Sequence, residues 1–344
     1  MSERMTKFKK FLKTTAVGTM LCVASAVAMG QGVAPPPLPK PPVAPKPAGP
    51  MFSHFPRGEN HERSIAVAPN ANLSLCVVQG LLRVNGWKRN EIRIFVKSGS
   101  PVAFKVLERT PEQQPVWLMA TGNDPKRTFK AFSECLWGEE IEIDVPEGAS
   151  IGLKGQETRT VVDRVKKVSV KNVAGDIVVR NVSSGVSAST FQGDITVEES
   201  RGALMLESTT GNIVVFEAGP SEIGDTFKAK TNSGTISMQA VKYRQVEVGS
   251  ISGTVGFSGP ILSGANYSFG TSNGSIRLVI PSAAAFKLAA TFASGSFSSE
   301  LPFKILTENL HETGKSIVGE FGTGNGAVVK VTTNNGTIGI RRDQ

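Results

Sequence analysis

Val168-Ser169-Val170-Lys171-Asn172-Val173-Ala174-Gly175-Asp176-Ile177 is the first clear instance of a phrase that this chain repeats. It returns as Val186-x-Ala188-x-Thr190-x-x-Gly193-Asp194-Ile195 and as Leu204-x-Leu206-x-Ser208-x-x-Gly211-Asn212-Ile213. Phe227-x-Ala229-x-Thr231-x-x-Gly234-Thr235-Ile236 follows, and Gly253, Gly274, Gly295 and Gly336 mark further copies. The glycine spacings are 18, 18, 23, 19, 21 and 21, and the last gap, 41, equals about two periods. Regular self-similarity at this period is the signature of a repeat architecture.

Within each copy the apolar residues alternate, as in half-buried strands of about five residues. A β-branched residue usually follows the glycine by two positions, a choice that suits a pleated, packed surface. The glycine lies where the chain turns, in a conformation a Cβ resists. Two all-β architectures fit. Asn273-Gly274 and Asn335-Gly336 suit type I′ hairpins, which would build an antiparallel β-sandwich. Alternatively, each ~20-residue unit is one coil of a single-stranded, β-helix-like β-solenoid, with glycine at its corner and Ser, Thr and Asn stacked in ladders. Most corners read Ser-Gly, Thr-Gly, Gln-Gly or Ala-Gly, so the solenoid is preferred.

A second echo sets the start of the array. Val145-Pro146-Glu147-Gly148-Ala149-Ser150-Ile151-Gly152-Leu153 aligns with Ile280-Pro281-Ser282-Ala283-Ala284-Ala285-Phe286-Lys287-Leu288. Proline cannot donate to a ladder, so each should mark a strand end. The expected division is a β-rich N-terminal cap over 51–139 and the solenoid over 140–344. Bare terminal coils expose strand edges, which is why a cap is expected.

Upstream, Arg4, Lys7, Lys9, Lys10 and Lys13 precede an uncharged apolar run from Thr14 to about Ala28, and small residues follow. That is the pattern of a secretory signal over 1–30, with an apolar run short of the ~20 residues a membrane-spanning helix needs. A proline-rich linker over 31–50 then holds nine of the chain's 20 prolines and reads as an extended spacer. The formal charge of +9 is concentrated in these two segments, leaving +3 over 51–344. A nucleic-acid partner is therefore not expected, since it would want a dense basic face on the folded part. Export to the periplasm or cell surface of a bacterium is, with no transmembrane segment once the signal is removed. Cys22 would leave with the signal, and the remaining pair, Cys76 and Cys135, would form a disulfide in an oxidising compartment. Two buried thiols are the alternative.

Val84-Asn85-Gly86-Trp87-Lys88-Arg89-Asn90-Glu91-Ile92-Arg93-Ile94, the repeated glycine units, the Ile-Pro-x-x-Ala segment and Val329 to Ile338 together carry a resemblance. Over roughly residues 65–342 the chain resembles the bacterial "putative adhesin" β-strand-repeat family, through the order and repetition of these motifs. The resemblance implies an exported, solenoid-like β-fold of unknown function and supplies no catalytic residues.

Candidate sites are sparse. Gly322-x-Gly324-x-x-Ala327 matches a dinucleotide fingerprint only nominally, because a strand and not a helix follows it. His54, Glu59, His61 and Glu62 cluster beside the linker, and Asp176 and Asp194 share a repeat position where two carboxylates stack one coil apart. Arg164, Lys166, Lys167, Lys171 and Arg180 make a basic stretch. Each reads more simply as solvated or structural, so no residue is assigned to catalysis, a cofactor or a metal. The expected function is a non-catalytic cell-envelope scaffold with adhesin-like binding, whose partner is an envelope protein or a glycan. The alternative is a periplasmic enzyme acting on polysaccharide.

Overall fold

The computed structural model describes residues 58–122, 134–311, 314–323 and 326–343, which hold 23 strands and no helix. The proposed signal segment and linker lie outside them. The first seven strands are β1 (Glu59–Ala66), β2 (Asn72–Trp87), β3 (Glu91–Gly99), β4 (Val102–Arg109), β5 (Pro115–Gly122), β6 (Glu140–Pro146) and β7 (Ser150–Asp163).

Six two-strand coils follow. They are β8 (Lys167–Ala174) with β9 (Ile177–Arg180), β10 (Val186–Gln192) with β11 (Ile195–Glu198), and β12 (Leu204–Thr210) with β13 (Ile213–Phe216). Then come β14 (Phe227–Ser233) with β15 (Ile236–Gln239), β16 (Gln245–Ser252) with β17 (Val255–Ser258), and β18 (Asn266–Asn273) with β19 (Ile276–Ile280). The chain closes with β20 (Phe286–Ser299), β21 (Lys304–His311), β22 (Gly314–Phe321) and β23 (Val328–Arg342).

Each coil lies on the next in parallel register, so this is a β-solenoid and not a sandwich of hairpins. Val168, Val186, Leu204, Phe227, Val246 and Tyr267 form one inward row; Ile177, Ile195, Ile213, Ile236, Val255 and Ile276 form another. All twelve side chains are buried. Alternation makes this possible: every second residue points into one hydrophobic core that runs from Val67 to Ile340. Asn273-Gly274 and Asn335-Gly336 turn corners within coils and close no hairpin.

The stack does not follow sequence order at either end. β2 pairs in parallel with β7 from Asn72↔Ser150 to Asn85↔Asp163, and on its other side with β5 and β6. Residues 72–87 are thus a coil of the stack, and no break in the core falls at the 139/140 boundary expected for cap and array. At the far end the last strand, β23, sits between the β18–β19 coil and β20. The two echoed Pro-x-x-Ala segments are the places where the chain steps across these wedged coils. Each closes a tight turn, Ala149 N–H donating to Pro146 O at 2.9 Å and Ala284 N–H to Pro281 O at 3.0 Å.

Antiparallel strands finish both ends: β3 and then β1 beyond β6, β4 beyond β5, and β22 and then β21 beyond β20. The outermost strands β1, β4 and β21 each carry a register shift, at Glu59/His61, Val106/Glu108 and Ile305/Thr307. Bulges of this kind blunt an edge against strand addition.

Candidate functional site

The corner shows why the repeat keeps a glycine and a hydroxyl three residues apart. In the stack the glycines run Gly175, Gly193, Gly211, Gly234, Gly253, Gly274, Gly336 and Gly295, and a Cβ on any of the last seven would overlap the preceding corner's carbonyl oxygen. Gly211 also has φ +152°, whereas Gly274 lies outside the left-handed range. The shared requirement is therefore close approach of backbones, and a forbidding dihedral is not common to every corner. Gly336 follows Gly274 directly and Gly295 lies beyond it, which corrects the expectation of two further periods after Gly295.

Inside the corner a buried hydroxyl from each of five coils donates to the glycine carbonyl of the coil before. Ser208 reaches Gly193 O at 3.0 Å, Thr231 Gly211 O at 3.0 Å, Ser250 Gly234 O at 3.1 Å, Thr271 Gly253 O at 3.0 Å and Thr333 Gly274 O at 3.0 Å. Burying a hydroxyl is tolerable only when it is bonded, and here its acceptor is a carbonyl that only a glycine corner brings close enough. Replacing Thr271 by Val keeps the shape and removes the donor. Thr271→Val should cost about 1–2 kcal/mol in a denaturant melt; an unchanged midpoint would show the ladder to be energetically idle.

Asp176 and Asp194 stack on adjacent coils, but their carboxylates are engaged. Asp176 accepts the Asp194 backbone N–H at 3.0 Å, and Asp194 accepts that of Asn212 at 2.7 Å. Asn212 continues the series by accepting Thr235 N–H at 2.9 Å. This row tethers coil to coil, which is why Asn can replace Asp along it.

A second corner was not legible in the sequence. Arg164, Asn181, Glu199, Glu217 and Ala240, one per coil, all have φ between +47° and +55°. Each N–H donates to the next coil, as Glu199 does to Phe216 O at 3.0 Å and Ala240 to Ser258 O at 2.9 Å. Only Asn among these residue types favours that conformation, so composition carried no signal. A left-handed residue with a Cβ costs roughly 1–2 kcal/mol, partly offset by the entropy a glycine loses. Ala240→Gly should accordingly raise stability by about 0.5–1 kcal/mol; a lower melting temperature would mean the alanine side chain packs usefully.

The other sequence candidates separate. Cys76 and Cys135 are bonded, 59 residues apart, tying β2 to the segment before β6. In the basic stretch Arg164 pairs with Asp163 at 3.1 Å and Arg180 with Glu198 at 2.7 Å. Lys171 lies on β8 and Arg180 on β9, across a corner from one another, so the stretch forms no single patch. Glu59, His61 and Glu62 lie on edge strand β1, while His54 and Gly324 fall outside the described residues. Among the described residues no three His, Cys, Asp or Glu side chains are grouped as metal ligands.

Between the β12–β13 and β14–β15 coils the repeat carries an insert, Gly219–Asp225. Asp225 anchors it by accepting Ser221 N–H at 2.9 Å, Ser221 O–H at 3.1 Å and Glu222 N–H at 2.9 Å. The Glu222 bond, foremost among these, holds the Asp225 carboxyl below the usual range. Beneath the insert, the Tyr243 hydroxyl lies 2.7 Å from Gly202 O and 2.9 Å from Gly219 O. Burial raises its pKa. One flank of the insert is a cleft of about 600 Å³ lined by Glu199, Glu217, Arg201, Lys242 and Pro220. Glu199 and Glu217 reach it because they occupy the left-handed corner on successive coils.

A family model described as Toastrack DUF4097 matches residues 137–341. Two crystal structures are similar at low superposition. One is a "putative cell adhesion protein" from Clostridium sporogenes ATCC 15579, at 10% identity, covering 83% of this chain and 100% of that one, with a TM-score of 0.26. The other is a "putative adhesin" from Parabacteroides merdae ATCC 43184, at 8% identity, 82% and 96% coverage, and a TM-score of 0.28. No curated protein matches the chain.

Proposed function

We propose, from the premise that the chain belongs to the Toastrack DUF4097 family, that it is a non-catalytic, exported envelope scaffold with an adhesin-like binding role. One observation carries the reading. Coils in parallel register turn single outward side chains into rows repeated one coil apart, about 4.8 Å. The polar groups of the glycine corner are consumed in holding coil to coil, so the broad lateral faces are left to meet a partner. The blunted ends fit the same picture. Export to the periplasm or cell surface is supported by the signal-like N-terminus and by the Cys76–Cys135 bond. The partner is an envelope protein or a glycan.

A second reading, a polysaccharide-cleaving enzyme, is favoured by one feature: Glu199 and Glu217 share a cleft with Arg201 and Lys242. Paired carboxylates of this kind suit glycosidic-bond cleavage. Purified protein incubated with anionic and neutral polysaccharides separates the readings. The scaffold leaves chain length unchanged, whereas shortening that disappears in Glu199→Gln and Glu217→Gln would establish the enzyme.

A further inference from the structure

Phe191 is the most exposed phenylalanine among the described residues, with 58% of its surface open on an outward position of β10. It does not stand alone. The registers of β10, β12 and β14 place Phe191, Thr209 and Asn232 at one position of three successive coils. Beside them, two residues nearer the strand start, run Ser189, Glu207 and Lys230. These six side chains line a shallow cleft of about 430 Å³.

The chemistry of the cleft narrows what fits it. An exposed ring face attracts a flat apolar surface, and around it stand two hydroxyls, an amide and a carboxylate. Ser189, Thr209 and Asn232 form no side-chain hydrogen bond among the described residues, and Glu207 makes none either but lies within electrostatic reach of Lys230. Lys230 is held by Glu247 at 2.9 Å, so the site has no surplus of positive charge for a phosphate or a uronate. Nor does it offer a peptide a strand edge, because β10, β12 and β14 are paired on both sides. A sugar chain meets every condition. Its C–H face stacks on an aromatic ring, its hydroxyls serve as both donors and acceptors, and one hexose of an extended β-linked glycan advances by nearly one coil.

We propose that the Phe191–Thr209–Asn232 row is a binding site for an extended, uncharged hexose or N-acetylhexosamine glycan running along the solenoid axis. Phe191 stacks on one sugar ring, and Thr209, Glu207 and Asn232 hydrogen-bond the hydroxyls of the next two. This deepens the scaffold reading and rests on it.

The experiment is calorimetric titration of the full chain with cellohexaose and chitohexaose. Phe191→Ala, Asn232→Ala and, on β13 outside the cleft, Phe216→Ala are compared with the parent after melts confirm folding. Saturable binding is expected, weakened tenfold or more by Phe191→Ala, severalfold by Asn232→Ala and unchanged by Phe216→Ala. No heat at millimolar hexasaccharide overturns the proposal. So does binding that Phe191→Ala leaves intact, which would place a glycan elsewhere and keep the scaffold reading. Cleavage of the hexasaccharide during titration would instead overturn the reading beneath it.

Discussion

Gly211→Val and Gly274→Val should each lower the stability of the solenoid by about 3 kcal/mol or more, combining overlap with the neighbouring corner and buried carbonyls deprived of their donors. At Gly211 the new Cβ overlaps Gly193 O, the acceptor of Ser208, and Gly211 O itself accepts Thr231. At Gly274 it overlaps Gly253 O, the acceptor of Thr271, and Gly274 O accepts Thr333. One substitution therefore parts two hydroxyl bonds and forces a coil away from its neighbour, so the loss should spread along the stack. Gly249→Val is the control. Gly249 lies mid-strand with open space where a Cβ would go, and valine suits a strand. In chemical melts that variant should match the parent or exceed it. Corner variants that also melt like the parent would show that coil spacing is slack and that the stacked-corner account is mistaken.

Removing the cross-link should have an effect of similar size. Cys76→Ser with Cys135→Ser frees a 59-residue loop, for a loss of about 4 kcal/mol by the chain-entropy relation. The loop contains β3, β4 and β5 and joins them to β2, which is wedged between β7 and the terminal strands. Fraying should thus begin at this end, visible as early hydrogen exchange in β4 and β5 while β12 to β15 stay protected. Full alkylation of both thiols in the unreduced parent, or a double variant as stable as the parent, would contradict this.

Much of the molecule was legible because its local rules repeat. Alternation assigned Val168 and Val170 to the core and Ser169 and Lys171 to the outside, and the structure agrees. Gly175 to Gly274 revealed the corner, and Thr190, Ser208 and Thr231 the polar row beside it. Phe191 was readable in principle as an apolar residue at an outward position, but a single exposed ring carries no signal without its neighbours. Glu199 and Glu217 were unreadable as a pair, since nothing in their residue types announces a left-handed corner.

What the amino-acid sequence by itself determined is the coil: its period, its inward face and its glycine corner. Each depends on residues a few positions apart or on residue type, and such preferences act before the chain has chosen its long-range partners. The order of the coils belongs to the tertiary structure. Gly295 follows Gly274 by 21 residues, an ordinary period, yet Gly336 stands between them, and β2 intervenes between β6 and β7 in the same way. Parallel pairing joins any two strands whose alternation is in phase, so period and pattern are equally satisfied by several stacking orders. The choice is made by which order buries the inward rows of the coils and leaves bulged strands at the ends, a property of the whole stack that no single repeat contains.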